Sequence, residues 1–164
     1  MQSDLYPKLM DGALRFVSFR PRSAKEVREW LKRTLTRHHT TAPLVEKQIV
    51  ERLSELGYVN DEKFAVWWVS QRRQATPKGA MLIRRELSAK GISKDLIEQA
   101  LLGGGEEKEA ARIALGKKIS RWKSYPLAEQ KKKAWAYLLR LGFGSNTIRT
   151  VVDDILGKEY NSDI

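Results

Sequence analysis

The chain contains no cysteine among its 164 residues. Disulfides, thiol nucleophiles and cysteine-based zinc sites are therefore excluded, in keeping with a reducing compartment. Histidine is almost as scarce, with His38 and His39 the only two. Neighbours on a helix point about 100° apart and no third ligand accompanies them, so they read as polar loop residues and no metal is expected. No apolar run approaches the roughly 18 residues of a membrane span. Residues 1–20 lack a basic segment followed by an apolar one, so no secretory signal is expected and the protein is placed in the cytoplasm. The patterns GxxxxGK[ST], GxGxxG, HExxH and GxSxG are all missing. The triplet Gly103 to Gly105 has neither a preceding strand nor a following Lys-Ser pair and reads as a linker. Paired acids such as Glu106-Glu107 and Asp153-Asp154 fall near helix ends, as solvated charges or partners of the helix dipole. With no cofactor motif and no catalytic constellation, neither a cofactor nor an enzymatic activity is expected.

Positive charge is what the chain has in excess. The net charge is +11 and the pI about 9.9, which points to a polyanionic partner: nucleic acid, an acidic protein or an anionic surface. Residues 1–60 carry 11 basic and 7 acidic side chains, residues 61–105 carry 8 and 5, and residues 106–164 carry 12 and 8. The excess is thus +4, +3 and +4, spread along the chain rather than gathered in a tail. The apolar content of 41% is enough for a core.

Apolar spacing is helical nearly throughout. Leu5, Leu9, Ala13 and Phe16 predict a helix over 4–19, which the weakly alternating LRFVSF continues. Ser23 and Glu26 form a capping box for a second helix with Val27, Trp30 and Leu31 on its face, ending near 37–40. Pro43 sits in the first turn of a third, whose stripe is Val45, Ile49, Leu53 and Leu56. Gly57 stops it. Asn60 caps a fourth, with Val59 and Phe64 as a staple and Asp61 and Glu62 at its positive end; it runs to about Ala75. Thr76-Pro77 stops that helix and starts a fifth over about 77–90, with Ile83 and Leu87 inward and Gly91 at its end. Ser93 caps a sixth, with Ile92 and Ile97 as a staple. A seventh covers about 107–122, following Ala110, Ala114 and Trp122. An eighth opens at Pro126 and ends at Gly142. Ser145 caps a ninth, with Ile148, Val152 and Ile155 inward. The tail GKEYNSDI is expected to fray.

These helices sort into threes. Ile83, Leu87 and Gly91 correspond to Ala134, Leu138 and Gly142. Val27 and Leu31 fit the same frame, but Leu35 stands where the glycine belongs and RHHTTAP reads as a longer replacement. The expected fold is all-α: three tandem three-helix repeats, residues 1–59, 60–105 and 106–164, forming an elongated curved body because no single repeat buries enough alone.

Arg72, Arg73, Lys78, Arg84 and Arg85 flank one helical junction, and Lys117, Lys118, Arg121 and Lys123 end another helix just before Lys131, Lys132 and Lys133. Any one such run is ordinarily a solvated face; its recurrence in every repeat is what suggests contacts to phosphates or to an acidic groove, with strong salt dependence. The tryptophans Trp30, Trp67, Trp68, Trp122 and Trp135 lie mostly on apolar stripes and read as packing residues rather than base-stacking platforms. Trp67 and Trp68 cannot face the same way, so one is expected in its own repeat and the other against a neighbour.

The ordered set RSAKEVREWLKR (22–33), ELGYVNDEKFA (55–65), IRRELSAKGIS (83–93) and LLRLGFGSNTI (138–148) resembles the RecX family of bacterial recombination regulators. The resemblance implies three tandem three-helix units. It also implies a protein, expected to be a monomer without membrane contact, that binds the RecA recombinase and its filament on single-stranded DNA. Such proteins lie along the filament groove and block its extension or hinder its ATPase and strand exchange. The family's Gly-Phe turn is replaced here by Leu35-Thr36 and RHHTTAP, its Gly-Pro by Gly79-Ala80, and a common basic residue by Leu82. The repeat junctions would be built by Gly57, Tyr58, Asn60, Asp61, Phe64, Gly91 and Gly142, with Tyr58 and Phe64 clamping the first corner. The resemblance implies Arg84 as the motif position that would meet a partner. The other reading of the same composition is a stand-alone DNA-binding protein with helix–turn–helix-like repeats.

Overall fold

The computed structural model describes residues 5–75, 77–103 and 107–157. Every regular element among them is helical: α1 (Leu5–Ser18), α2 (Ala24–Arg37), α3 (Pro43–Glu55), α4 (Asp61–Gln74), α5 (Ala80–Ala89), α6 (Lys94–Gly103), α7 (Glu107–Ile119), a single 3-10 turn (Ser120–Trp122), α8 (Leu127–Arg140) and α9 (Ser145–Leu156). The all-α reading stands. Residues 1–4, Thr76, Gly104, Gly105 and Glu106, and the tail beyond Gly157, lie outside the described residues.

The chain divides into two compact units, Met1–Trp67 with Leu87–Ala100 and Trp68–Glu86 with Leu101–Ile164. In the first, Leu9, Ala13 and Val17 of α1 meet Val27, Leu31 and Leu35 of α2 and Ile49, Val50 and Leu53 of α3. In the second, Ala110, Ala111, Ala114 and Leu115 of α7 meet Ala134 and Leu138 of α8 and Ile148, Val151 and Val152 of α9. These sets follow the spacings of three and four that put side chains on one helical face. Removing a fully buried leucine from either set loses about 2–5 kcal/mol. Leu56 and Ile155 extend their stripes in sequence but are exposed, because each lies at its helix end, where the face turns away from the core.

Three helices end alike. After α3, α5 and α8 the glycines Gly57, Gly91 and Gly142 take φ of 78°, 79° and 83°. The next amides, of Tyr58, Ile92 and Phe143, donate back to the carbonyls of Leu53, Leu87 and Leu138. This is the Schellman arrangement, in which an apolar residue after the glycine packs against the last turn. Ile92 and Phe143 do so and are buried. Tyr58 does not: it is 55% exposed, and Val59 is the residue buried at this corner. The expected clamp of Tyr58 with Phe64 is therefore corrected: Val59 and Phe64 are the buried residues here. After α2 the same closure forms without glycine. Thr40 N–H donates to the Leu35 carbonyl at 3.1 Å, and His39 takes the left-handed conformation at φ 51°. The helix therefore runs past Leu35 to Arg37, and Leu35 becomes core.

Helix starts follow the sequence less evenly. The Ser23/Glu26 capping box forms in full, Pro43 opens α3, and Asn60 Oδ1 accepts from Lys63 N–H at 2.9 Å. Ser145 is the first residue of α9 rather than its cap; Gly144 precedes it with no side-chain bond. Pro77 lies outside α5, which begins at Ala80. The amides ahead of it are taken up by other segments: Lys78 N–H donates to Arg72 O at 2.8 Å and Gly79 N–H to Leu141 O at 2.8 Å.

A joint of the same design occurs in each compact unit. In the first, Ala24 N–H at the start of α2 donates to Asp61 Oδ1 at the start of α4, 2.8 Å away. Beside it Ser23 Oγ donates to the Lys90 carbonyl at 2.8 Å. In the second, Ala80 N–H at the start of α5 donates to Glu107 Oε1 at the start of α7, 2.7 Å away. Beside it Gly79 N–H reaches Leu141 O, and Met81 N–H reaches Gly142 O at 3.2 Å. In both, one carboxylate lies between two helix N-termini, whose partial positive charges it satisfies. A Cβ on Gly79 would fall 2.1 Å from Gly142 O, so no side chain fits there.

Candidate nucleic-acid interface

The cations first singled out at the α4–α5 junction are mostly not available to a partner. Glu86 Oε2 accepts from Trp68 Nε1 at 2.9 Å and from Arg72 Nε at 2.7 Å, and its Oε1 accepts from Lys78 Nζ. The Arg72 guanidinium lies 4.5 Å from the Trp68 ring centre. Burial pushes the Glu86 carboxyl up, but its bonds to Lys78, Arg72 and Trp68 outweigh this and hold it below the usual carboxylate range. Arg72 and Lys78 therefore build the fold of this junction.

Arg73 is a correction. It is only 7% exposed, and its buried Nε and Nη1 have no hydrogen-bond partner. Burial lowers its pKa, with Glu107 acting in the opposite direction. It faces inward because Val69 and Arg73, spaced by four, share one side of α4, and that side is buried. Arg84 and Arg85 are exposed on α5.

The end of α7 and the start of α8 differ. Lys117, Lys118, Arg121, Lys123, Lys131, Lys132, Lys133 and Arg140 face a single acid, Glu129, within 117–140. Among the described residues no carboxylate forms an ion pair with Lys117, Lys118, Arg121, Lys123, Lys132, Lys133 or Arg140. Elsewhere such pairs take up Arg20 and Lys90 on Glu26, Arg72 and Lys78 on Glu86, and Arg112 on Asp154. Aromatic rings lie among the unpaired cations. Tyr137 has Lys118 Nζ 5.9 Å and Arg140 Cζ 5.7 Å from its centre, and Trp122 meets it edge-on at 6.0 Å. Tyr125, 41% exposed, carries Lys133 Nζ at 4.4 Å. Unpaired cations around partly exposed rings can meet phosphates and base faces together.

All five tryptophans are half-buried. Trp30 stacks on Phe16 at 5.4 Å and 15°. Trp67 packs on Phe64 at 5.8 Å in the first unit, whereas Trp68 bonds Glu86 in the second. The two indoles thus serve different units. Sequence reasoning missed Glu86 and Tyr137, whose one signal was the cations around them in the sequence, and it read Glu107 only as an acid near a helix end.

Residues 60–101 match the family described as RecX, second three-helix domain, and residues 106–152 match RecX, third three-helix domain. The chain belongs to the RecX family. The regulatory protein RecX of Bacillus subtilis is 34% identical over 98% of this chain and 58% of its own length. That of Chlorobium phaeobacteroides is 31% identical over 90% of this chain and 93% of its own. The chain spans little more than half the length of its Bacillus relatives. The crystal structure of RecX from Lactobacillus salivarius superposes with a TM-score of 0.78 at 25% identity, covering 93% of this chain and 97% of that one. The Glu86 cluster lies within the match to the second RecX domain, and the basic face of residues 117–140 lies within the match to the third. No helix among the described residues is long and apolar enough to cross a membrane.

Proposed function

We propose that this RecX-family chain is a non-enzymatic, cytoplasmic regulator that binds the RecA recombinase and its filament on single-stranded DNA. Bound there as a monomer, it hinders filament growth, ATPase and strand exchange. Its three repeats span 1–59, 60–105 and 106–164. The observation that carries the reading is the basic face formed by Lys117, Lys118, Arg121, Lys123, Lys132, Lys133 and Arg140, on a chain whose relatives are named regulatory proteins. That face suits the phosphate backbone of a strand held in a filament, and binding through it weakens steeply with salt. Regulation here is occupancy: no bond is made or broken, and the protein excludes what would otherwise move or add.

The test is RecA ATPase on single-stranded DNA, titrated with this protein. The expected result is a saturable fall in rate that added salt relieves. Tight binding to bare DNA with no change in ATPase or strand exchange would instead identify a stand-alone DNA-binding protein.

A further inference from the structure

The first compact unit carries a second surface of different chemistry. An open groove of about 440 Å³ lies between the α1–α2 loop and the turn joining α3 to α4. Val17, Pro21 and Phe64 contribute apolar surface to it, and Arg20, Arg22 and Lys63 are its charged residues; no carboxylate lines it. Phe19 and Tyr58 also line it, and they are 84% and 55% exposed. A single exposed apolar side chain is ordinary on a protein surface, but two aromatics on one cation-lined groove mark an interaction site.

Its two arginines are held in place. Arg20 Nη2 donates to Glu26 Oε1 at 2.9 Å and its Nη1 to Pro21 O at 2.8 Å. The Arg22 guanidinium sits 4.0 Å from the Phe16 ring centre, with Nε donating to Phe16 O at 3.3 Å. Phe16 in turn stacks on Trp30. Fixed arginines beside exposed aromatics are the composition of a protein-binding hot spot, which loses little entropy on contact. A nucleic-acid strand fits less well. Glu26 already neutralises Arg20, and the longer run of cations that a phosphate chain needs lies at 117–140.

We infer that this groove docks an acidic segment of a partner protein, with an aromatic or branched aliphatic anchor between Phe19 and Tyr58 and flanking carboxylates on Arg22 and Lys63, while Arg20, paired with Glu26, shapes the loop beside them. The inference stands apart from the proposed role at RecA filaments, since any protein bearing such a segment would serve.

The experiment titrates the isotope-labelled full chain with short synthetic peptides in which Glu and Asp flank one Phe or one Leu, and with an oligo-dT strand. The peptides should shift the amides of 17–22 and 57–63, and the oligonucleotide those of 117–140. The double variant F19S/Y58S should weaken the peptide about tenfold or more while helicity and oligonucleotide binding persist. K63E should weaken it as well, and a peptide with Lys in place of the acids should not bind. The inference is overturned if none of the acidic peptides shifts the groove amides, if F19S/Y58S binds them as the parent does, or if oligo-dT displaces them from the groove.

Discussion

His39 takes the left-handed conformation that glycine takes after α3, α5 and α8. A side chain there costs about 1 kcal/mol. His39→Gly should raise stability by about that amount in urea unfolding; an unchanged midpoint would mean that the ring makes compensating contacts. Arg73 carries a different cost, a buried cation with two unpaired nitrogens. Met keeps the packing volume and removes the charge, so Arg73→Met should be about 1 kcal/mol more stable than the parent and bind oligo-dT equally well. Glu26 shows the reverse. Burial pushes its carboxyl up, but hydrogen bonds from Arg20, Lys90 and Ser23 N–H outweigh that and bring it from 4.5 to about 2. Because the folded value is depressed, the stabilisation is complete above pH 4.5 and is lost as pH falls toward 2. Glu26→Gln should lose about 2 kcal/mol at neutral pH, and unfolding curves of variant and parent should converge as the pH drops below 4.5.

Between elements, what decides the fit is how helix starts meet helix ends. Asp61 and Glu107 were legible as acids in a first turn, and each accepts the first amide of a different helix. Gly79 is the tightest part of the second joint. Its Cβ position is occupied by the backbone of Gly142 and Phe143, which the Leu141 and Gly142 hydrogen bonds hold in place. Gly79→Ala should therefore destabilise by about 3 kcal/mol or more in thermal or denaturant unfolding. Ala at the exposed, uncrowded Gly116 of α7 is the control, where a small gain of about 1 kcal/mol is expected from helix propensity. Equal effects at the two sites would show that the close approach does not constrain the joint.

At the scale of the whole molecule, the net charge of +11 says little about where a polyanion binds until its pairing is known. Triple substitution of Lys118, Arg121 and Lys123 by Ala should cut the salt dependence of oligo-dT binding, reducing the log–log slope by about 2, with helicity retained. Arg72 and Lys78 changed to Ala should instead lower stability and leave that slope nearly unchanged. If the second pair governed the slope, the Glu86 cluster would have to open on binding.

Helix number and placement, and the buried faces of α1, α2, α3, α7, α8 and α9, were legible in the sequence because they depend on contacts three and four residues apart. Gly57, Gly91 and Gly142, the Ser23/Glu26 box and Pro43 act within a turn of where they stand. Other features required the fold. Ser23 meets Lys90 across 67 residues and Ala80 meets Glu107 across 27, so which residues pair across the joints left no local trace. Whether Arg72, Lys78 and Arg73 were surface charges, partners of Glu86 or buried side chains depended on which elements pack around them. The sequence alone determined how much positive charge the protein carries and on which helices. Tertiary structure decided how much of it remains unpaired, because neutralisation and desolvation act over a few ångströms between residues far apart in the chain.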